Sequence, residues 1–152
     1  MANRRDAGPS TPLAQHGGPP AGGPPAAGRC PCLSGETYGR CCGAFHAGFA
    51  EGVWPATAEA LMRSRFSAFA AGRPDYLLAT WHASTRPAGL RLDDGVAWTG
   101  LEILRREAGG PFDADGLVEF AAHYRDDSGR GTQRETSRFV REGGRWYYLD
   151  GR

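Results

Sequence analysis

The first strongly periodic stretch of the chain predicts a helix that begins at residue 58. Apolar residues recur there at helical spacing and share one face of the helix: Ala58, Leu61, Met62, Phe66 and Phe69. Thr57 is a favoured N-cap residue, and Gly72 is suited to end the helix in the left-handed conformation. Pro74 is then well placed as the first residue of a second helix, predicted over residues 74–82.

The second half of the chain changes from helical spacing to alternation. Residues 117–125 alternate most clearly, with four residues on one face and three on the other: Val118, Phe120, Ala122 and Tyr124 against Glu119, Ala121 and His123. Further strands are predicted at residues 98–105, 132–142 and 145–150, with hairpin turns at 126–129 and 142–144. Helices followed by an antiparallel meander predict an α+β domain.

The N-terminal stretch differs in composition from the rest of the chain. Residues 1–28 end in HGGPPAGGPPAAG and hold few side chains able to form a core, so we expect a disordered Pro/Gly/Ala-rich tail. A cysteine-rich segment follows at residues 29–50, and residues 51–152 form the α+β domain. No apolar run reaches the roughly 20 residues of a membrane span, and no signal peptide is apparent. We therefore expect a cytoplasmic location and no membrane partner.

Charge excludes some classes of function. The net charge is only +1, which gives no overall attraction to nucleic acid or anionic lipid. All 18 basic residues are arginines, so neither a Schiff-base lysine nor the lysine of a phosphate-binding P-loop is present.

All four cysteines of the chain fall within 13 residues and indicate a metal site. Cys30 and Cys32 form one close pair and Cys41 and Cys42 another, and two such pairs joined by a short loop supply the four soft ligands that Zn²⁺ prefers. His46 follows four residues after Cys42 and is the alternative fourth ligand. We predict one structural zinc ion.

A closed set of four protein ligands leaves no open position for water, which indicates a structural rather than a hydrolytic metal. Other interpretations of the cysteines are weaker. A vicinal Cys41–Cys42 disulfide would be strained, no Cys-x-x-Cys redox pair is present, and the spacing matches no common iron–sulfur pattern.

The segment CPCLSGETYGRCCGAFHAG resembles the SEC-C motif, a zinc knuckle also found in the C-terminal tail of the SecA translocase. Besides the four cysteines, Ser34, Gly35 and Tyr38 match the motif. Two residues depart from it. Leu33 stands where the motif has Gly, so a positive φ there would be strained. Glu36 stands where Lys is common, which removes a positive charge from the exposed face.

The resemblance extends beyond the knuckle. ALMRSRFSAFAAGRPDYLLATWHASTRP and SRFVREGGRWYYLDG are similar to segments of the YchJ-like family, whose members join a SEC-C knuckle to an NTF2-like domain. This resemblance implies a curved antiparallel sheet that packs against helices to form an open cone. It implies no particular reaction.

Candidate ligand-binding residues lie on the first helix and near the end of the second. Arg63 and Arg65 flank Ser64, and an arginine that faces the cone interior would bind an anion. The alternative is a structural ion pair with Glu119 or Glu135 that fixes the helix on the sheet. His82 is expected to cap a helix end.

Candidate acid–base residues lie on the sheet. Glu119 and His123 share a face of one strand, as Glu135 and Ser137 do on the next, and convergence of both faces on one cavity would give a Glu/His pair capable of acid–base catalysis. Outward-facing strand positions also carry Glu and His simply as solvated residues.

Two functions from different classes remain open. The first is a binding or adaptor protein that contacts a protein or ribonucleoprotein partner through the knuckle. The alternative is a small-molecule-binding protein or an enzyme of isomerase or hydrolase type that uses the cone, with Glu119, His123 and Arg63 as candidate catalytic residues. We also expect residues 55–152 to fold independently of the knuckle.

Overall fold

The computed structural model describes residues 23–152 and the backbone of residues 5–6. Its helices are α1 (Cys42–Gly48), α2 (Ala58–Ala71) and α3 (Pro74–Ala79), and short 3-10 turns lie at Tyr38–Arg40 and Phe49–Glu51. Its strands are β1 (Arg5–Asp6), β2 (Leu90–Arg91), β3 (Ala97–Ala108), β4 (Asp115–Asp126), β5 (Gly129–Glu142) and β6 (Arg145–Gly151). The α+β class predicted from the sequence is confirmed.

The N-terminal stretch is only partly described. Residues 1–4 and 7–22, the greater part of the predicted disordered tail, lie outside the described residues. The backbone of β1 pairs antiparallel with β2. Residues 25–28 form a turn that hydrogen-bonds to the knuckle, where the backbone amide of Gly39 donates to Ala26 at 2.9 Å. Hydrogen-bonded structure therefore begins ahead of residue 29.

Helix α2 has the predicted ends. The hydroxyl of Thr57 accepts a hydrogen bond from the backbone amide of Ala60 at 3.1 Å, and Gly72 ends the helix with φ 72°.

Helix α3 is shorter than predicted and stops at Ala79. The chain leaves the helix there because Thr80 and His82 exchange backbone hydrogen bonds with Tyr148 of β6, each 2.8 Å long.

Strands β3 to β6 form one antiparallel meander in the order in which they occur along the chain. In the register of β4 and β5, Phe120 lies opposite Glu135 and Glu119 lies opposite Thr136. Glu135 therefore shares the inner face with Phe120, and Glu119 lies on the outer face. Helix α2 packs on the inner face, where the buried side chains of the sheet are Leu101, Val118, Phe120, Ala122, Ser137, Phe139, Trp146 and Tyr148.

The cysteine-rich segment packs into the same core as the sheet. Cys30, Cys32 and Cys42 are almost fully buried and belong to one cluster with the apolar residues of α2 and the inner face. Helix α1 lies against α2. None of the helices formed by the described residues has the length and apolar character that a membrane span needs.

Candidate metal centre

The four cysteine sulfurs converge on one point. All four Sγ atoms lie within 4.8 Å of one another, although the residues come from two separate turns of the chain. The Sγ atom of Cys41 lies 3.7 Å from that of Cys32 and 3.9 Å from that of Cys42. All four thiols are free, and these separations are about twice the length of a disulfide bond.

The separations fit a tetrahedral metal site. With metal–sulfur distances of about 2.3 Å, neighbouring sulfurs of a zinc–thiolate tetrahedron lie about 3.8 Å apart. The Sγ–Sγ distances from Cys41 to Cys32 and to Cys42, 3.7 and 3.9 Å, bracket that value. The cluster is therefore compatible with metal binding in its geometry as well as in its donor atoms.

Mutual hydrogen bonding divides the thiols into two kinds. The contact with Cys32 lowers the pKa of Cys30, and the contact with Cys42 lowers the pKa of Cys41 to about 6. The contact with Cys30 raises the pKa of Cys32, and the contacts with Cys30, Cys32 and Cys41 raise the pKa of Cys42, because these hydrogen bonds stabilise the protonated thiols. A bound cation removes this conflict, since it favours ionisation of all four thiols.

Helix α2 supplies a second layer of contacts around the cysteines. The hydroxyl of Ser67 lies 3.6 Å from Sγ of Cys30. One turn earlier on the same helix face, the guanidinium of Arg63 donates to the backbone carbonyl of Cys32 at 3.1 Å. On the opposite side of the cluster, the hydroxyl of Ser34 lies 3.2 Å from Sγ of Cys41. Contacts of this kind orient metal ligands and tune their basicity.

Leu33 has the positive φ that its place in the motif predicts. Its φ is 61°, a conformation that glycine adopts without strain. The Leu33 side chain lies directly over Gly100 of β3. If Gly100 carried a Cβ atom, that atom would lie only 2.6 Å from the Leu33 side chain. Half of the Leu33 side chain remains exposed. The contact with β3 therefore offsets part of the backbone strain.

His46 lies apart from the sulfur cluster, in a buried polar contact with Tyr38 and α2. Its Nε2 lies 2.9 Å from the carbonyl oxygen of Ser64, and its Nδ1 lies 2.6 Å from the hydroxyl of Tyr38. A carbonyl only accepts, so Nε2 carries the proton and Nδ1 accepts from the tyrosine. Both ring nitrogens are thus engaged in hydrogen bonds.

Burial lowers the pKa of His46 to about 4. The imidazole of an unfolded chain titrates near pH 6.5, so the unfolded state takes up a proton first as the pH falls. The contribution of His46 to stability is therefore complete above about pH 6.5 and declines as the pH approaches 4. We expect its ring resonances in NMR spectra of the full chain to titrate near pH 4. A midpoint near 6.5 would contradict the buried, neutral ring.

The sequence-predicted acid–base residues do not meet in a cavity. Glu119 lies on the outer face of the sheet, between the guanidinium groups of Arg134 at 3.0 Å and Arg105 at 3.3 Å. The pair with Arg134 holds the pKa of Glu119 below its ordinary value. His123 shares that face, with Nδ1 2.9 Å from the Thr132 hydroxyl. The expected convergence with Glu135 and Ser137 is wrong, since those two residues lie on the inner face.

Arg63 does not face the cone. Its Nε pairs with Glu59 of the same helix at 2.9 Å, and its other hydrogen bond goes to the knuckle. His82 caps no carbonyl with its ring, which lies between Ser84 and Glu142 at 2.7 and 3.0 Å. The alternative pairing of an α2 arginine with Glu119 is also not observed, because Glu119 binds arginines of the sheet.

The arginine that enters the cone is Arg65. It is fully buried, and Nη1 donates to the carbonyl of Leu77 at 2.7 Å and to the hydroxyl of Thr80 at 2.8 Å. Burial lowers the pKa of Arg65 to about 10. A signal for this position was present in the sequence, since Arg65 lies four residues from both Leu61 and Phe69 on the apolar face of α2.

Comparison with known proteins covers both parts of the chain. The family described as the middle NTF2-like domain of YchJ matches residues 57–151, and the SEC-C motif matches residues 29–44. A UPF0225 protein of Corynebacterium efficiens is 56% identical over 120 residues, which cover 79% of this chain and 89% of that protein. A UPF0225 protein of Streptomyces coelicolor is 52% identical over 122 residues, or 80% and 93% of the two chains.

Two solved structures share the fold. The solution structure of a SEC-C motif containing protein from Rhodopseudomonas palustris has a TM-score of 0.68 and 32% identity, and the match covers 81% of this chain and 96% of that one. The crystal structure of a SEC-C motif containing protein from Psychrobacter arcticus has a TM-score of 0.69 and 28% identity, with 82% of each chain covered. With a SEC-C motif placed ahead of the matching NTF2-like domain, this chain belongs to the YchJ-like family.

Proposed function

We propose that the protein binds one structural zinc ion through Cys30, Cys32, Cys41 and Cys42 and acts as a binding module that presents the metal-bound knuckle to a partner. The observation that carries the metal assignment is the convergence of the four sulfurs within 4.8 Å at the spacing of a zinc–thiolate tetrahedron. Bound there, zinc supplies cross-linking of two turns of the chain rather than a reactive water.

Cys42 is the fourth ligand in this proposal, and His46 is not. Cys42 belongs to the sulfur cluster, whereas both ring nitrogens of His46 are engaged by Tyr38 and by the carbonyl of Ser64. Binding zinc through His46 would break one of these buried hydrogen bonds. That exchange costs free energy, because the released partner would be left unsatisfied in the core.

Metal content tests this assignment. Purified full-length protein is expected to carry about one zinc per chain by elemental analysis, with thiolate ligation in its X-ray absorption spectrum. Cys42→Ser should lose most of the metal, and His46→Ala should retain it, although the His46 variant is less stable. Retention of a full equivalent by Cys42→Ser, together with loss in His46→Ala, would overturn the ligand set.

The exposed side of the knuckle is the proposed contact surface. We define this knuckle face by residues 33–36 and by Gly39 and Arg40, all of which are exposed. Four thiolates on Zn²⁺ carry a net charge of −2, Glu36 adds another negative charge, and Arg40 offsets one of these charges, so the face stays net negative. Half of the Leu33 side chain projects from the same face. An apolar contact within negative surroundings favours a basic protein segment, either alone or as the protein component of a ribonucleoprotein.

The outer sheet face is a weaker candidate for the function. Glu119 is an ion-paired carboxylate and a poor general base, since two arginines stabilise its charged form. A cleft of about 500 Å³ lies beside His123, but it is open to solvent and its charged lining residues are Arg125 and Arg130. The knuckle face therefore remains the better supported contact surface, and the cytoplasm, where thiols stay reduced, is the proposed location.

Partner capture tests the adaptor function. Immobilised full-length protein is expected to retain a partner that Leu33→Gly and Glu36→Lys each release, while both variants keep their zinc. Leu33→Gly restores the residue of the common motif and removes backbone strain, although it also removes the contact with Gly100, so retention of zinc serves as the check that the knuckle is folded. Glu119→Gln on the outer sheet face is the matched control and should capture normally. Capture that survives both knuckle variants would refute the proposed contact surface.

A further inference from the structure

Four buried side-chain polar atoms lack a hydrogen-bond partner within the described part of the chain. They are Nη2 of Arg65, Nε1 of Trp81, Oγ of Ser137 and Oη of Tyr148. Most buried polar groups in proteins are paired, because each unpaired one destabilises the folded state. Two of these atoms only donate hydrogen bonds, and the two hydroxyls are able to donate. The set is therefore rich in donors.

The residues that carry these atoms form one cluster inside the cone. The guanidinium carbon of Arg65 lies 4.4 Å from the ring centroid of Tyr148 and 5.1 Å from that of Trp81. The two rings contact each other at 5.2 Å, and their backbones are joined by a β-bridge. Ser137 pairs with Gly151 on β6. A Cβ atom on Gly151 would lie 3.1 Å from the Tyr148 hydroxyl, so this hydroxyl lies close to the Ser137–Gly151 pair. The donors thus come from α2, β5, β6 and the segment after α3.

The guanidinium of Arg65 offers one unused edge to this cluster. Its Nη1 is engaged by Leu77 and Thr80. The rings of Tyr148 and Trp81 stack on the guanidinium group of Arg65. Its Nη2 atom has no hydrogen-bond partner among the described residues. No carboxylate of the described residues forms an ion pair with Arg65, and its charge is buried. A buried charge without a counterion in direct contact is costly.

The nearest acidic group stands at the rim of the cluster. The carboxylate of Glu135 acts on Arg65 and on Tyr148 over a distance rather than through a hydrogen bond. One of its oxygens accepts from Gln133 at 2.9 Å, and the other fills the space that a Cβ at Gly151 would need. Glu135 is half-buried, so it lies between the cluster and solvent.

We propose that this cluster binds a monovalent anion of carboxylate size, held by Arg65 and by the hydroxyls of Ser137 and Tyr148, with the indole N–H of Trp81 as a further donor. The anion supplies the countercharge of Arg65 and accepts from the unpaired donors. The aromatic side chains that fill the cone, Trp81, Trp146 and Tyr148, restrict the ligand to a small group. This site is separate from the metal centre and does not depend on the identity of the metal.

Formate is the probe, and the indole N–H of Trp81 is the reporter. Formate titrated into the full-length, metal-loaded protein at constant ionic strength is expected to shift the Trp81 indole resonance in a saturable manner, in the millimolar range. The indoles of Trp54 and Trp146 are internal controls, because each already donates to a backbone carbonyl, at 2.8 and 3.1 Å. They should not respond.

Three conservative variants separate a binding role from a purely structural one. Tyr148→Phe and Ser137→Ala each remove one unpaired hydroxyl and should weaken formate binding about tenfold, as expected for one hydrogen bond to a charged group. Glu135→Gln removes the competing negative charge and should tighten binding about threefold. A purely structural role for Glu135 would not produce tighter binding. The dispersion of the amide spectrum shows whether each variant is folded.

Three results would overturn the proposal. They are a Trp81 resonance that does not move, one that moves linearly together with the other indoles, and an unchanged affinity in both hydroxyl variants. Weaker binding in Glu135→Gln would contradict the position assigned to the anion, because removal of a nearby negative charge cannot repel it.

Discussion

Removal of the metal is expected to destabilise the whole domain and not only residues 29–46. Cys30, Cys32 and Cys42 lie in the same core as the sheet. Without a cation, four sulfurs within 4.8 Å either repel one another as thiolates or bury unpaired thiols. The disturbance would then reach α2 directly, because Ser67 contacts Cys30.

The path from the cysteine cluster to the sheet runs through one helix. The Arg63 guanidinium holds the carbonyl of Cys32, and the ring of His46 donates to the carbonyl of Ser64 on the same helix. Helix α2 in turn packs against β3, β4 and β6. Loss of the knuckle would expose one face of α2 and weaken its hold on the inner face of the sheet.

The measurement is amide exchange and urea unfolding of the full chain with and without a chelator. Protection of amides in β4 and β5 is expected to fall with that of the knuckle, and the free energy of unfolding is expected to drop by about 3–5 kcal/mol or more. The sequence alone favoured a domain of residues 55–152 that folds independently of the knuckle. The shared core leads us to expect instead that the two parts unfold together. Chelation that leaves exchange in the sheet unchanged would restore the two-part description.

A control separates metal loss from chelator effects. Cys41→Ser removes a ligand at the half-buried corner of the cluster and should reproduce the chelated state without chelator. Ser34→Ala leaves all four sulfurs in place and removes the 3.2 Å contact with Cys41 and the 3.3 Å hydrogen bond from the backbone amide of Glu36. The serine variant should therefore lose far less stability than the cysteine variant.

Features encoded within a few residues were predictable from the sequence. The N-cap at Thr57 and the end at Gly72 fix α2, because both depend on local backbone conformation and on one side chain. The meander follows from alternation and short turns. The positive φ of Leu33 was predictable because the motif has glycine at that position.

The faces of neighbouring strands were not predictable from alternation alone. Alternation places Glu119 and His123 together on β4, but it does not say which residues of β5 lie on the same side. The turn between β4 and β5 pairs Asp126 with Gly129, and this register sets Glu119 opposite Thr136. A shift of one residue would have brought Glu119 opposite Glu135. The predicted acid–base site depended on that single step of register.

The docking of the knuckle required tertiary information. No local pattern shows that Arg63 would bind the carbonyl of Cys32, or that Leu33 would lie over Gly100. The buried position of Arg65 is different, since helical spacing already placed it on the apolar face of α2. A charged residue on such a face was the sequence signal that best indicated the interior of the cone.

Arg65→Ala is expected to be among the most damaging single substitutions outside the metal cluster. It leaves the carbonyl of Leu77 without its 2.7 Å donor and removes the guanidinium that packs on Tyr148 and Trp81. It also opens a cavity in the core. The combined loss is expected to be about 3–5 kcal/mol of unfolding free energy.

Two matched variants show which part of this loss belongs to the charge. Arg63→Ala changes the same residue type on the same helix, but Arg63 is only partly buried, so the loss should be about 1 kcal/mol. Arg65→Met keeps most of the side-chain volume and removes the buried charge, so it should recover part of the stability that Arg65→Ala loses. Urea unfolding of the metal-loaded chains measures all three. A midpoint for Arg65→Ala equal to that of Arg63→Ala would show that the buried guanidinium contributes no more than a surface arginine.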